Sequence, residues 1–262
     1  MTWIEALILG IIQGLTEFLP VSSSGHLELG AVLLNVQANE NLLFAIVVHL
    51  ATAFATIVVF WKDIRTLFID LLKFEWNEST QFVVRLLISM IPVFVAGVFF
   101  KDQIESLFSG NLLLVGSMLL VTGGLLLFAH FKKDGTKSVG FLAALVIGCA
   151  QAVAVLPGIS RSGATISTAL ILGVERSKAA RFSFLMVLLP ILGASLLQVK
   201  DYVESPAMHQ IGLMPLLIGF LAAFIAGFIA CKWMINIVRN GRLTHFAIYC
   251  FIVGLIAVIS TL

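Results

Sequence analysis

Residues 17–26, EFLPVSSSGH, are the stretch of sequence that decides the fold. They place a carboxylate, three hydroxyls and an imidazole around a proline, with apolar runs on both sides. The whole chain has 262 residues, of which 60% are hydrophobic and 11% charged, and its mean hydropathy is +1.09. A soluble domain of this length needs more charge to cover its surface. The sequence therefore predicts an all-α polytopic membrane protein that carries this polar stretch at membrane depth.

Several other classes of protein and site do not fit the sequence. A membrane β-barrel would alternate apolar and polar residues, and this chain does not. The net charge of +2 and the lack of a basic tract predict no nucleic-acid partner. The three cysteines lack metal-ligand spacing and are interpreted as buried apolar side chains. With no basic residue before its first apolar run and no cleavage pattern, the N-terminus is expected to be structure rather than a signal peptide.

Six uninterrupted apolar runs approach the roughly 20 residues that cross a hydrocarbon core of about 30 Å. These runs cover residues 42–60, 85–100, 112–131, 182–199, 211–230 and 246–262. A further segment, 61–76, has apolar residues at helical spacing between two tryptophans, which is typical of a helix along the membrane surface.

Two regions, 3–34 and 141–173, each contain two short apolar arms around a turn rich in Pro, Gly and Ser. The turns read LPVSSSGH and LPGISRSG. Arms of about 10 to 16 residues are short for a crossing and suit a re-entrant hairpin. Irregular backbone at this depth is tolerated only where it is buried in protein or lines a wet cavity. The two turns are therefore expected to share one polar cavity.

The two hairpin regions are copies of one another at a constant offset of 138 residues. The chain is thus one membrane domain of two repeats, about 1–131 and 139–262, each a re-entrant hairpin plus three transmembrane helices. The matching pairs are Gly10 and Gly148, Gln13 and Gln151, Ser22 and Ser160, Ser24 and Ser162, Gly25 and Gly163, and Phe44 and Phe182.

Three crossings is an odd number, so the second repeat is expected to be inverted relative to the first. Basic residues support this: twelve fall on one side of the predicted topology, whereas Lys101 and Lys200 fall on the other. The positive-inside rule assigns the basic side to the cytoplasm and both termini to the outside. Inverted repeats of this kind place a site near the midplane at their interface. The twelve residues are Lys62, Arg65, Lys73, Lys132, Lys133, Lys137, Arg176, Lys178, Arg181, Lys232, Arg239 and Arg242.

One face of the first arm combines glycines with polar side chains. Steps of three and four residues put Gly10, Gln13, Gly14 and Glu17 on the same side of a helix. A carboxylate in hydrocarbon costs several kcal/mol unless it is paired, protonated or bound to a cation. The alternative to a functional role is a structural glutamate that is bonded to nearby serines.

Arg161 lies between two serines in the second turn, directly ahead of the apolar arm 164–172. A helix that begins there aims its free N–H groups and its positive dipole end into the turn. Arginine, hydroxyls and a helix N-terminus together predict an anion site, most naturally for phosphate. The alternative is an internal Arg–Glu pair that only holds the two turns together, and the two readings are compatible.

The repeats share a scaffold but divide the chemistry: valine stands opposite Glu17, Arg161 opposite Ser23, and alanine opposite His26. Cleavage of a phosphate ester or anhydride requires charge neutralisation, a positioned nucleophile and a proton acceptor. We expect Arg161 to hold phosphate oxygens, and Glu17 with help from Gln13 to hold a divalent cation. Ser23 would attack or position a water, and His26 would move the proton.

Two other polar residues within the apolar runs are interpreted without a function. His49 and Arg85 are expected to satisfy neighbouring groups or to extend towards the membrane surface.

Three motifs in order resemble one family. They read Gln13-Gly-Leu-Thr-Glu17, Pro20-Val-Ser-Ser-Ser-Gly-His26 and Pro157-Gly-Ile-Ser-Arg-Ser-Gly-Ala-Thr165. The chain resembles the undecaprenyl-diphosphate phosphatases, which confer bacitracin resistance, and the plan of hairpins and crossings extends this resemblance over its whole length. Position 13 holds Glu or Gln in that family. A neutral amide supplies no charged ligand, so Glu17 is the main acid here.

The resemblance implies an integral hydrolase of the bacterial cytoplasmic membrane that removes one phosphate from undecaprenyl diphosphate, a polyprenyl diphosphate lipid. The product recycles the lipid carrier of cell-wall (peptidoglycan) synthesis. The resemblance also implies a divalent cation, Mg²⁺ or Ca²⁺, a site open to the outer face, and catalytic roles for Glu17, Ser23, His26 and Arg161. Substrate contacts are expected at further turn residues, namely Ser22, Ser24, Gly25, Gly158, Ser160, Ser162, Gly163 and Thr165.

Two rival functions are open at this point. The segment SSSGH is similar to part of the acid-phosphatase-like lipid phosphatases, whose nucleophile is a histidine, but their upstream Lys-x6-Arg-Pro element is absent from this chain. A polyprenyl-phosphate transporter or flippase is the other, because many carriers are built from inverted repeats with broken helices. The convergence of acid, hydroxyl, imidazole and guanidinium in two short turns favours an enzyme. The sequence leaves the oligomeric state open, a homodimer included.

Overall fold

The computed structural model describes residues 1–36, 38–107, 111–132, 134–204 and 212–261. Within these ranges the secondary structure is helical, apart from one isolated β-bridge between Lys137 and Val174. The predicted all-α class is confirmed. The helices are α1 Trp3–Phe18, α2 Ser23–Leu33, α3 Ala38–Val59, α4 Trp61–Leu71, α5 Glu78–Phe99, α6 Lys101–Leu107, α7 Leu112–His130, α8 Phe141–Val153, α9 Arg161–Ile171, α10 Arg176–Met186, α11 Leu188–Glu204, α12 Leu213–Arg239 and α13 Thr244–Ile259.

Among the described residues, four helical stretches are long and apolar enough to cross a membrane. They are α5, α7, α12 and the combined stretch Arg176–Leu196, and a fifth is added if the bent pair α3–α4 counts as one span. A polytopic membrane protein is therefore confirmed. The last predicted crossing corresponds to α13, which has 16 residues. At 1.5 Å per residue that helix is about 24 Å long, shorter than a full hydrocarbon core.

The apolar runs of the sequence and the helices differ at several boundaries. Helix α5 begins at Glu78 rather than at residue 85, because Asn77 caps it by accepting a hydrogen bond from the Thr80 N–H at 2.9 Å. The run 182–199, which looked uninterrupted, is divided between α10 and α11. Pro190 lies in the first turn of α11 and has no N–H to continue a helix from α10, which accounts for the break. The predicted ends at 211 and 262, Lys133, and the side chains of Lys101 and Lys200 lie outside the described residues.

Both predicted hairpins consist of two helices joined at the proline-containing turn. Helix α1 gives way to extended backbone at Leu19, since the residue before a proline is disfavoured in the α region. Helix α2 begins where Ser22 Oγ accepts a hydrogen bond from the Gly25 N–H at 3.3 Å. In the other half, Ser160 Oγ accepts from the Gly163 N–H at 3.1 Å and starts α9. The same capping bond thus recurs at the repeat offset.

The two halves pack against each other through reciprocal helix contacts. Helix α1 lies against α12 and helix α8 lies against α5, so each first arm packs on a long helix of the other half. Small residues allow this closeness: a Cβ added at Gly10 would lie 2.6 Å from the Gly219 carbonyl oxygen, and one at Gly148 would overlap the Ser89 carbonyl oxygen. Such reciprocal contacts are expected if the two halves are related repeats. The opposed orientation of the halves stays a prediction.

Helix α4 turns away from α3 by 75°. Two aromatic side chains, Trp61 and Phe68, are exposed on it, and Asp63 forms an ion pair with Arg181 of α10 at 2.7 Å. A helix that lies across a spanning helix suits the membrane surface, and the interfacial position of residues 61–76 stays a prediction.

The close approach of α1 and α12 gives a test of the fold. Replacing Gly10 with Ala should lower the unfolding midpoint temperature in detergent, because the new Cβ meets backbone that cannot move aside. Overpacking of this kind costs about 1–3 kcal/mol. The matched control is Gly97→Ala in α5, where a Cβ has no neighbour within 4 Å, and which should unfold no earlier than the wild type. Equal midpoints for both variants would contradict the packing described here.

Candidate active site

The tips of the two hairpins touch each other. Ser162 Oγ donates a hydrogen bond to the Leu19 carbonyl oxygen at 3.2 Å. A Cβ added at Gly163 would lie 3.3 Å from Pro20 Cβ, and one added at Gly25 would lie 3.3 Å from Gly158 Cα. Gly158 also has a φ of +94°, which favours glycine. These glycines, predicted as substrate contacts, are placed where the turns press together.

A buried threonine that the sequence analysis missed braces the second turn. Thr122 Oγ1, on α7, donates to the Gly158 carbonyl oxygen at 3.1 Å and accepts from the Ser160 N–H at 3.0 Å. Its side chain is buried. A hydroxyl in an apolar helix was a visible signal, but the sequence does not reveal that its partner is a turn 36 residues away.

The structure brings Glu17 and Arg161 together across the contact between the tips. Arg161 Nη2 lies 3.6 Å from Glu17 Oε1, and the two side chains are 30% and 7% exposed respectively. The carboxylate is therefore buried beside a guanidinium that is still within reach of a ligand. An acid and a cation from different halves share one site, as the repeat comparison predicts.

The other oxygen of Glu17 has three further neighbours. Ser23 Oγ donates to Oε2 at 2.6 Å, and Gln13 Nε2 donates to it at 3.0 Å. His49 Nε2, on α3, lies 3.8 Å from the same atom. Ser23 and its proton acceptor are thus in direct contact, which is the arrangement of a nucleophile and a general base. His49, interpreted from the sequence as satisfying a neighbour or extending towards the membrane surface, lies beside Glu17.

His26 contacts the backbone of the first turn and a tyrosine of α13. Its Nδ1 lies 2.8 Å from the Ser22 carbonyl oxygen, and its Nε2 lies 2.8 Å from the hydroxyl of Tyr249 on α13. Because a carbonyl oxygen only accepts, Nδ1 carries a hydrogen. The acceptor of the Ser23 hydrogen bond is Glu17, and the role of His26 in moving the proton stays a prediction. Nothing in the sequence singled out Tyr249.

Several predicted contact residues shape the helix starts. Ser22 and Ser160 cap α2 and α9, and each lies close to the serine two positions later, at 3.4 Å from Ser24 Oγ and 3.2 Å from Ser162 Oγ. Thr165 Oγ1 donates to the Arg161 carbonyl oxygen, one turn earlier, at 2.8 Å, and it contacts Ser183. It therefore stabilises the first turn of α9 and links this helix to α10. Because α2 and α9 both begin at the tips, their positive ends face the region between the turns.

A cavity adjoins the Glu17–Arg161 pair. Hydroxyl groups and the ion pair form one part of its wall, and large apolar side chains form the rest. Its lining residues are Glu17, Phe18, Thr52, Thr56, Arg161, Ser162, Ser183, Phe184, Val187 and Ile191. The lining thus places apolar side chains directly beside the charged pair.

The donors near Glu17 fit a hard divalent cation. Gln13 is buried, and its Oε1 has no hydrogen-bond partner within the described part of the chain. Carboxylate and amide oxygens are ligands for Mg²⁺ and Ca²⁺, and Mg²⁺ in particular completes its shell with water and substrate phosphates. The described residues hold no group of three or more His, Cys, Asp or Glu side chains that would form an all-protein cage. The residues therefore fit a cation that one carboxylate and one amide share with a substrate.

Comparison with known proteins gives a family and close relatives. Residues 6–256 match the model of the family described as bacitracin resistance protein BacA. A relative from Parabacteroides distasonis, named undecaprenyl-diphosphatase, is 54% identical over 264 residues, which cover 100% of this chain and 99% of the relative. A relative of the same name from Bacteroides fragilis is 53% identical, with 99% and 98% covered. Another of that name, from Carboxydothermus hydrogenoformans, is 43% identical, with 97% and 95% covered.

The Thr122 brace gives a test of how the second turn is held. Thr122→Val keeps the shape of the side chain but leaves the Gly158 carbonyl and the Ser160 N–H without this partner. Unsatisfied buried groups cost about 1–3 kcal/mol each, so the unfolding midpoint temperature should fall by several degrees. The control is Ser117→Ala on the same helix, whose hydroxyl donates to Leu113 one turn back. A Thr122→Val midpoint equal to that of this control would show that the turn does not depend on the brace.

Proposed function

The chain belongs to the bacitracin resistance protein BacA family, and from this premise we propose that it is an integral membrane phosphatase acting on undecaprenyl diphosphate. It releases inorganic phosphate and leaves undecaprenyl phosphate, which returns the lipid carrier to cell-wall synthesis and gives resistance to bacitracin. One observation carries the proposal: a buried carboxylate accepts a hydrogen bond from Ser23 at 2.6 Å and lies 3.6 Å from Arg161. Nucleophile, base and phosphate-binding cation are thus within one site.

Arg161 and the helix N-termini bind the diphosphate head. A guanidinium matches two phosphate oxygens at once, and the positive ends of α2 and α9 attract the same anion. Arg161 is 30% exposed, so a substrate reaches it without unfolding the turns. A substrate phosphate that binds Arg161 weakens the ion pair between Arg161 and Glu17. The Glu17 carboxylate is then available to act as a base.

Ser23 and Glu17 carry out the transfer in one of two routes. In the first, Ser23 Oγ attacks the terminal phosphorus as Glu17 takes its proton. The bond from that phosphorus to the bridging oxygen breaks, and undecaprenyl phosphate leaves with the electron pair; water then hydrolyses the phosphoserine. In the second, Ser23 positions a water that attacks the same phosphorus and gives its proton to Glu17, while the bond to the bridging oxygen breaks and undecaprenyl phosphate leaves. Both routes need the hydrogen bond between Ser23 and Glu17.

A divalent cation supplies charge neutralisation on the phosphates when it is bound. Glu17 and Gln13 Oε1 are the protein groups that would hold it. Because Gln13 is neutral, this set contributes one negative charge, and the substrate phosphates contribute the rest.

His26 is assigned to holding the first turn. Ser22 has a φ of +69°, a region that a residue with a side chain adopts at a cost of about 1–3 kcal/mol. The His26 ring bonds to the carbonyl oxygen of Ser22, and Tyr249 holds the other side of the ring. These bonds stabilise the backbone that presents Ser23 to Glu17.

We place the enzyme in the bacterial cytoplasmic membrane, with both termini outside and the site open to the outer face. The support is the distribution of basic residues, twelve of which fall on one side of the predicted topology.

The proposal predicts phosphate release by the purified protein in detergent, where no membrane separates two compartments. Glu17→Ala and Arg161→Ala should each lower the rate of release from a polyprenyl diphosphate by about 100-fold or more, because each removes charge that acts in the transition state. Arg65→Ala, on the exposed surface of α4, is the control and should keep full activity. Binding of intact substrate without release by the wild type would contradict the phosphatase and favour a polyprenyl-phosphate carrier.

A cation held by Glu17 predicts sensitivity to chelation. Excess EDTA should abolish release of phosphate by the wild type, and addition of Mg²⁺ or Ca²⁺ beyond the chelator should restore it. Full activity in excess chelator would remove the cation from the mechanism.

A further inference from the structure

The cavity beside Glu17 and Arg161 has room for water but not for a lipid chain. Its volume is about 20 Å³, and a polar cavity holds a water from about 10–15 Å³ upwards. Among the described residues, Ser23 contacts Glu17 but does not line this cavity. The cavity therefore adjoins the Glu17 carboxylate on a side that Ser23 leaves open.

Two threonines of α3, Thr52 and Thr56, contribute hydroxyl groups to the wall of this cavity. They are 1% and 2% exposed. Thr52 Oγ1 donates to the His49 carbonyl oxygen at 2.8 Å, and Thr56 Oγ1 donates to the Thr52 carbonyl oxygen at 3.0 Å. A hydroxyl has one hydrogen and two lone pairs, so both side chains are left with lone pairs to offer a ligand.

The two serines of the wall, Ser162 and Ser183, have also committed their hydrogens. Ser162 Oγ donates to the Leu19 carbonyl oxygen at 3.2 Å. Thr165 Oγ1 gives its hydrogen to the Arg161 carbonyl oxygen, so Ser183 is the donor in the contact between Ser183 and Thr165. All four hydroxyl groups of the wall therefore accept hydrogen bonds from whatever enters the cavity.

A wall of acceptors beside a carboxylate selects a ligand that donates hydrogen bonds. A water donates one hydrogen to Glu17 and the other to a threonine hydroxyl, and its own lone pairs stay free. Arg161 also lines the cavity, so a phosphate group that it binds lies next to such a water. The water is then placed between its base and the phosphorus that it attacks.

The repeats link the two threonines to the acid. At the offset of 138 residues, Thr52 corresponds to Pro190 and Thr56 to Ala194, so the second half has neither hydroxyl. Glu17 likewise corresponds to Val155. The threonines thus occur in the half that carries the acid, and they are not part of the scaffold that both halves share.

We propose that this cavity binds the water that hydrolyses the substrate, and that Thr52 and Thr56 are positioning residues for it. The water oxygen forms a bond to the phosphorus held by Arg161, and Glu17 takes the proton. The bond that breaks joins this phosphorus to the bridging oxygen or, after attack by Ser23, to the serine oxygen. The inference rests on the proposed phosphatase function and assigns a site to the water that both of its routes need.

Kinetics with a polyprenyl diphosphate in detergent test the proposal on four proteins: the wild type, Thr52→Val with Thr56→Val, Thr52→Ser with Thr56→Ser, and Thr66→Val. Valine keeps the shape of threonine without its oxygen, so the valine pair should lower kcat by about 10- to 100-fold, the scale of a small misplacement of reacting groups. KM should not rise. The serine pair keeps both hydroxyls and should recover most of kcat. Thr66, exposed on α4 with a hydroxyl bonded to its own helix, is the matched control and should change neither constant.

Three kinetic results would overturn the proposal: full kcat in the valine pair, equal losses in the valine and serine pairs, or a raised KM with unchanged kcat.

A second measurement needs no turnover. A high-resolution crystal structure of the wild type, grown with Mn²⁺, should show an ordered water within hydrogen-bond distance of Glu17 and a threonine hydroxyl, and the valine pair should lose it. An anomalous Mn²⁺ peak in the cavity, or no ordered water there, would contradict the proposal, and a water that persists in the valine pair would deny the threonines their role. If the wild type releases no phosphate, the proposed function is refuted, while the structure still decides whether the cavity binds water.

Discussion

The burial of the Glu17 carboxylate is the constraint on which the rest of the structure depends. Its side chain is 7% exposed in a chain that is 60% hydrophobic, and an uncompensated charge there costs several kcal/mol. Compensation comes from three helices at once, through Gln13 on α1, Ser23 on α2 and Arg161 on α9. Because these helices belong to both halves of the chain, satisfying one charge fixes the contact between the two turns.

The same requirement explains why the halves are alike in backbone and unlike in side chains. Both turns begin their second helix with a serine cap three residues before a glycine, so the scaffold repeats. If both halves carried an acid, two carboxylates would meet at the tips, and like charges in a low-dielectric site oppose each other. Placing the acid in one half and Arg161 in the other makes the contact attractive in the absence of substrate, and it gives the diphosphate a cation to bind.

Features with local causes could be predicted from the sequence, and features set by packing could not. The helix breaks follow from Pro20 and the capping serines, and the meeting of Glu17 with Arg161 follows from the repeat. The break before α11 also has a local cause, Pro190. A hydropathy profile does not reveal this break, because the residues around the proline are apolar. The partners of Tyr249 and Thr122 depend on which helices become neighbours, and a single sequence does not contain that information. The hydrogen bond between Ser23 and Glu17 also depends on packing, because the two residues lie on different helices. The predicted role of His26 in moving the proton stays a prediction.

The central claim, that the two tips meet, is tested most directly by cross-linking them. In a protein whose three native cysteines are replaced by alanine, Pro20→Cys and Gly163→Cys would bring two sulfurs within reach, because the Cβ positions lie 3.3 Å apart. We predict that mild oxidation joins the two tip peptides in one disulfide, detected by mass spectrometry, and that Pro20→Cys with Ser117→Cys forms none. Failure of the tip pair to cross-link in a folded protein would contradict the account.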